Sequence, residues 1–363
     1  MMGVNDGTML VVLLVGLNML LVVECRRDYI TWDDLKVDVD KPGWKEVKQS
    51  SSSSSKLLTG ASSVIVVDQN GGGDSVSVQG AVDLVPDNNS ERVKIFILPG
   101  IYREKVFVPK SKPYISFIGS EDKISETVIS WNNKAGDKDE NGQEMGTAGS
   151  ASVTIESDYF CATGITFENT VVAVPGGYNM QAVSLRVAGD KAVFYKVHII
   201  GTQDTLLDEV GMHYYYHSFI QGRVDFICGN AKSLFKECVL HSTAEGTGAI
   251  AAHHRNSADE DTGFSFVNCV IEGKGKVFLG RAWGNYSRTI YSHCYINDII
   301  TPSGWSDWNS PDRQRTADFG EYKCRGRGAD RSRRAPWSRS LSYDAAKPFL
   351  NTNYINRENW LQL

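Results

Sequence analysis

Asp204, within Gly201-Thr202-Gln203-Asp204-Thr205-Leu206, and Asp225, within Val224-Asp225-Phe226-Ile227, stand 21 residues apart. Gln181 and Gln203 stand 22 apart. The chain around them repeats with a similar period. If each repeat is one coil of a solenoid, residues one period apart stack on one face. Two carboxylates side by side on a rigid surface can divide into an acid and a nucleophile, because each changes the other's ionisation. The two glutamines should stack in the same way.

The elements that must position these groups are short and β-branched. Gly164-Ile165-Thr166-Phe167-Glu168-Asn169, Tyr195-Lys196-Val197-His198-Ile199-Ile200-Gly201, His217-Ser218-Phe219-Ile220-Gln221-Gly222, Lys236-Glu237-Cys238-Val239-Leu240, Val267-Asn268-Cys269-Val270-Ile271-Glu272-Gly273 and His293-Cys294-Tyr295-Ile296-Asn297-Asp298 resemble one another, at steps of about 20 to 35 residues. Gly, Asn and Asp break the strands, and 34 glycines supply tight turns. No helical pattern separates them. An all-β, right-handed, single-stranded parallel β-helix is the expected fold. Ser63-Val64-Ile65-Val66-Val67 reads as its first strand. Val76, Val78, Ala81, Val82 and Val85 have helical spacing, and Pro86 ends the run. This short N-terminal helix would cap the open end of the stack.

Cys238, Cys269 and Cys294 hold the same place in their repeats. Adjacent coils lie about 4.8 Å apart, within the Cα range a disulfide spans. The spacing allows a Cys238–Cys269 disulfide, which we expect, or a ladder of buried thiols.

Met9 to Val23 is almost wholly apolar, too short for a comfortable span and suited to a secretory signal. An uncleaved anchor or a buried helix is the alternative. Residues 1–24 are thus expected to be a signal peptide, 25–60 a flexible Ser-rich linker, and 61–363 the folded domain. Asn88 and Asn285 begin glycosylation sequons. The net charge of −5 argues against a general nucleic-acid binder. No Gly-x-Ser-x-Gly elbow, Walker A or HExxH pattern occurs, nor any CxxC pair among the seven cysteines. His253-His254 would point to opposite faces of a strand. The Arg325 to Arg339 run would attract an acidic polymer or form a solvated tail.

Five blocks occur in order: Gly100-Ile101-Tyr102-Arg103-Glu104, Gln181-Ala182-Val183-Ser184-Leu185, Gln203-Asp204-Thr205-Leu206, Gly222-Arg223-Val224-Asp225-Phe226-Ile227-Cys228-Gly229-Asn230-Ala231 and Leu279-Gly280-Arg281-Ala282-Trp283. Together they closely resemble the signature blocks of plant pectin methylesterases, from about Ser63 to the C-terminus. The resemblance implies a parallel β-helix that hydrolyses methyl esters of homogalacturonan, with 61–363 as the catalytic domain. It implies Asp204 as general acid/base, Asp225 as nucleophile, and Gln181 and Gln203 as oxyanion donors. It places Thr147, Gln181, Arg281 and Trp283 on substrate, with Arg281 also beside Asp225, where its charge would favour the ionised nucleophile. Trp283 suits stacking on a sugar face, with core packing as the alternative. No metal or organic cofactor is implied. The form resembled is the short one, without an inhibitor-like pro-region.

Ala282 stands where the family has proline, and Cys228 where it often has phenylalanine. A secreted, monomeric enzyme of the plant cell wall is expected. Its partners would be methylesterified homogalacturonan and a proteinaceous pectinesterase inhibitor, with no nucleic acid and no stable membrane span. A pectin lyase or polygalacturonase, or a catalytically silent pectin-binding wall protein, is the rival reading.

Overall fold

The computed structural model describes residues 29–37, 63–174 and 176–363. Among these, strands form an 11-stranded sheet, a 14-stranded sheet and a two-stranded ribbon. Each coil contributes in turn to three faces of a prism. Ala192–Tyr195, His198–Ile200 and Leu206–Asp208 are the three strands of one coil. Each pairs in parallel with its counterpart on the next coil, Met212–Tyr216, Phe219–Gly222 and Ile227–Gly229. The second and third faces merge into one sheet because Val239–His253 and Val270–Arg281 bend across their shared edge.

One corner explains much of the repeat. Lys196, His217, Glu237, Asn268, His293 and Lys323 all have φ between +48° and +56°. The left-handed residue turns the chain sharply from the first face to the second. The next residue then points inward: Val197, Ser218, Cys238, Cys269, Cys294 and Cys324. At the equivalent corner of an earlier coil stands Gly164, where an added Cβ would lie 2.8 Å from the Gly119 backbone.

Identical register stacks like on like inside the prism. Phe194, Tyr215, Phe235, Phe266 and Tyr291 form a continuous ring stack, with centroids 4.9, 4.5, 4.7 and 4.5 Å apart. Tyr214-Tyr215-Tyr216 therefore serves packing, with Tyr214 and Tyr215 buried. The open end of the stack is closed by the helix Val78–Leu84. Ser77 caps it by accepting from the Gly80 amide (3.1 Å), and the Glu104 carboxylate accepts from the Val78 and Gln79 amides. Val78, Ala81, Val82 and Val85 face the core, whereas Val76 precedes the helix and is exposed.

Three expectations need correction. The six described cysteines are free thiols, Cys238 and Cys269 included. Cys238 contacts the Tyr215 and Lys236 carbonyls, and Cys269 the Phe235 and Val267 carbonyls. The sulfurs thus pack as inward ladder residues within a continuous core. The stretch 25–60 is not linker throughout. Ile30–Thr31 pairs in parallel with Leu361–Gln362, and Trp32 packs edge-on against Tyr195 at 5.0 Å. Leu35 is buried and Asp34 meets Arg92. The rest of 25–60, the signal segment 1–24 and Cys25 lie outside the described residues. Finally, the arginine run is neither all free nor a tail. Arg331 and Arg334 turn onto buried Glu321 at 2.5 and 2.9 Å, and Arg339 pairs with Asp318. Among the described residues no helix is long and apolar enough to cross a membrane.

Two outcomes follow. Reductant should leave the melting temperature unchanged, and thiol titration of unfolded protein should recover the six described cysteines. Leu35→Ala should lower unfolding free energy by about 2–5 kcal/mol while activity at low temperature persists; denaturant melts would measure it.

Candidate active site

The edge between the second and third faces gathers the chemistry. Asp204 and Asp225 both occupy this turn in the left-handed region, with φ of +56° and +47°. Aspartate is one of the few side chains that tolerates it. Gln203 bridges Val224, the Asp204 amide donates to the Val224 carbonyl (3.1 Å), and Leu206 pairs with Ile227. The two aspartates are thus stacked on adjacent coils, about 4.8 Å apart at the backbone. The Ala182 amide donates to the Gln203 carbonyl (3.0 Å), which sets Gln181 on the coil before. Gln181 Oε1 is buried with no partner among the described residues.

Arg281 comes from further along. Cys228, Ala252 and Arg281 are consecutive rungs of the third face, so Arg281 lies two coils beyond the coil of Asp225, a rise of about 10 Å along the prism. Its long side chain reaches back. Nε donates to Asp225 Oδ1 at 2.8 Å and an Nη donates to Oδ2. Two parallel hydrogen bonds to a carboxylate fix both orientation and charge.

The two carboxyls therefore diverge. Asp225 is 4% exposed. Burial pushes its pKa up, and the hydrogen bonds and charge of Arg281 pull it only part of the way back, so the net shift stays upward. Asp204 keeps some solvent contact, yet the protein surrounds it closely. Burial and then the Asp225 charge push its pKa well above the usual carboxylate range, with Arg281 opposing from a distance. Among the described residues no side chain or amide donates a hydrogen bond that would favour the charged form of Asp204. Burial and these acids also raise the Cys228 thiol, which stays neutral.

Thr147 is half-buried in the short helical turn Gly146–Gly149. Its neighbour Ala148 joins an apolar floor of Ala151, Val183, Leu207, Cys228 and Ala252, on which Trp283 and Trp308 also rest. From Thr147 to Trp308 the stripe crosses seven coils, roughly 30 Å. Trp283 is half-buried against His254, ring centroids 4.1 Å apart, at the exposed side of that floor. His253 points the opposite way and is buried; its pKa falls to about 3 through desolvation. Asn88 and Asn285 are exposed.

Two features escaped the sequence. Trp308 lies over the Arg281 guanidinium, 3.9 Å from ring centroid to Cζ. Its signal was a tryptophan one repeat beyond Leu279-Gly280-Arg281-Ala282-Trp283. The second is a buried network four residues past Asp204. Asp208 accepts from His213 Nδ1 (2.6 Å), Tyr215 (2.7 Å) and Ser233 (2.5 Å). His213 Nε2 faces the Gly189 carbonyl at 2.8 Å. Both imidazole nitrogens meet acceptors, so both donate and the ring is charged. Burial lowers the His213 pKa, but Asp208 and Gly189 outweigh it and the net shift is upward. Among the described residues no group of three or more His, Cys, Asp or Glu is gathered as for a metal ion.

Known proteins share this architecture. A family model described as Pectinesterase matches residues 64–358. The chain is 66% identical over 291 residues to "Pectinesterase QRT1" of Arabidopsis thaliana, covering 80% of this chain and 77% of that protein. It is 42% identical over 295 residues to "Probable pectinesterase 8" of Arabidopsis thaliana, covering 79% and 73%. The solved pectin methylesterase from carrot superposes with a TM-score of 0.74 at 31% identity, covering 85% of this chain and 96% of that one. Fold and relatives define a parallel β-helical carboxylic ester hydrolase. The chain belongs to the pectinesterase family, and it removes methyl esters from pectin.

The charged His213 contributes stability that is complete below the ordinary imidazole pKa of about 6.5 and is lost as pH rises through the higher folded value. Unfolding free energy should therefore decline on the alkaline side. Asp208→Asn should cost about 3–5 kcal/mol by leaving His213 buried without its counter-ion, and should flatten that decline in melts taken across pH.

Proposed function

We propose that demethylesterification in this chain proceeds through Asp225 as nucleophile and Asp204 as general acid/base. The observation that carries this is the asymmetry of a stacked pair: only Asp225 is gripped by a guanidinium. An ionised Asp225 attacks the C6 carbonyl of a methylesterified galacturonate residue. The tetrahedral oxyanion is held by the side-chain amides of Gln181 and Gln203. Collapse expels the methoxy group, and the Asp204 proton leaves with it as methanol. Asp204, now a carboxylate, takes a proton from water as that water attacks the acyl-enzyme. The carbonyl–Asp225 bond breaks, a free galacturonate carboxyl departs, and Asp204 holds a proton again. No step calls on a metal or organic cofactor.

The stripe from Thr147 to Trp308 suits an extended polymer. Trp283 stacks on a sugar face at the groove, and Thr147 contacts substrate at the far rim. Arg325, Arg327 and Arg333 are exposed and attract an acidic chain. We take the protein to be secreted to the plant cell wall as a monomer, with 1–24 removed and 61–363 as the catalytic domain. Asn88 and Asn285 are accessible to glycosylation, and the groove is where a proteinaceous inhibitor would bind.

Asp225→Asn should abolish methanol release from methylated pectin while circular dichroism stays native. Continued turnover would overturn the assignment. Gln203→Ala should reduce kcat by about 10²–10³-fold. The pH profile of kcat should be bell-shaped. Activity rises as Asp225 ionises and falls as Asp204, whose pKa is raised, loses its proton. Asp204→Asn should remove the alkaline limb from the residual rate.

A further inference from the structure

The grip of Arg281 on Asp225 depends on a ring that the reaction does not itself require. Arg281 pairs with Ser306 on the next coil. Two residues later the chain turns through consecutive left-handed positions, Trp308 (φ +59°) and Asn309 (φ +56°). Non-glycine residues in this region persist where their surroundings over-determine them. The Trp308 amide donates to Ser306 Oγ (3.3 Å), and Asp307 accepts from the Asn309 amide (3.0 Å) and the Gln314 side chain (2.7 Å). This turn sets the indole over the guanidinium. One edge of Arg281 is used by Asp225 and one face by Trp308. Tryptophan is the ring that holds a cation best.

We propose that Trp308 is a positioning residue for this reaction: its ring holds Arg281 in the one orientation that grips Asp225 at both oxygens. Arginine is long and rotamer-rich, and Arg281 must reach back across two coils. Without the ring, its head samples other positions. With the guanidinium displaced, Asp225 loses the two charge-assisted hydrogen bonds that favour its charged form, so the carboxylate becomes harder to ionise. Among the described residues, the titratable groups that face Asp225 are Arg281 from the strand two coils on, Asp204 from the coil before, and the neutral Cys228 thiol from its own coil, and of these only Arg281 is a cation. The indole's covered face is occupied by Arg281, which sets this ring apart from Trp283, whose partner is a histidine. This inference rests on the assignment of Asp225 as nucleophile.

The test is methanol release from methylated pectin across pH for Trp308→Ala, Trp308→Phe, Arg281→Lys and the Arg281→Lys/Trp308→Ala double variant. Asp225→Asn is the control, and each variant is checked by circular dichroism and melting. Trp308→Ala should lower kcat by roughly ten- to a hundredfold, the scale of a misplaced catalytic group. It should move the acid limb of kcat to higher pH and change KM less than kcat. Trp308→Phe should restore most of kcat and return the acid limb. With Lys at position 281, removing the ring should add little further loss. A rise in KM with kcat and the acid limb unchanged would overturn the proposal and make Trp308 a sugar platform. Fully additive losses in the double variant would overturn it as well. An active Asp225→Asn would instead sink the nucleophile assignment, and this inference with it.

Discussion

Everything in this molecule hangs on the register of parallel coils. Each backbone group bonds to the coil above or below, so a residue one turn on stands about 4.8 Å away on the same face. Inside the prism that constraint builds the ring stack from Phe194 to Tyr291. At the corners it lines up the left-handed residues that precede Ser218, Cys238 and Cys269. On the outer edge the same register brings Asp204 and Asp225 together with Gln181 and Gln203. A slip of one residue would turn every ladder to the opposite side.

Stacking alone would leave two equivalent acids. The difference between them is imposed from further down the prism. Arg281 reaches back across two coils to Asp225, and Trp308, one coil beyond Arg281, covers it. Asp204 receives neither contact. Burial raises both carboxyls, and the guanidinium offsets that rise at Asp225 through direct hydrogen bonds and at Asp204 only from a distance. Four residues beyond Asp204, the Asp208–His213 network ties the same strand to the first face through Tyr215 and Ser233. A fixed coil edge is what keeps the spacing of the pair constant.

Much of this was legible in the sequence because it is local or periodic. The β-branched segments, the capping helix with Val78, Ala81 and Val82, and the five ordered blocks all follow from short-range patterns. Each failure has a physical cause. Equal placement of Cys238 and Cys269 in their repeats gave proximity. It could not say that both sulfurs point into a packed core and remain thiols. The serine-rich composition of 25–60 hid Trp32 and Leu35, whose partners are Tyr195 and the C-terminal segment. The arginine run looked like a free cationic surface because Glu321, its buried counter-charge, lies on a strand that nothing local marks as a partner.

By itself, then, the sequence determined the period, the coil, and the identity of the residues that line one edge of it. Those depend on neighbours within one repeat, where chain connectivity limits the options. The resemblance set Arg281 beside Asp225, but only the tertiary structure decided the two-point grip and the ring that covers it, because Arg281 is 56 residues from Asp225 and Trp308 lies further still. Contacts at that separation arise from the summed rise of several coils and from side-chain reach, and no local pattern encodes either.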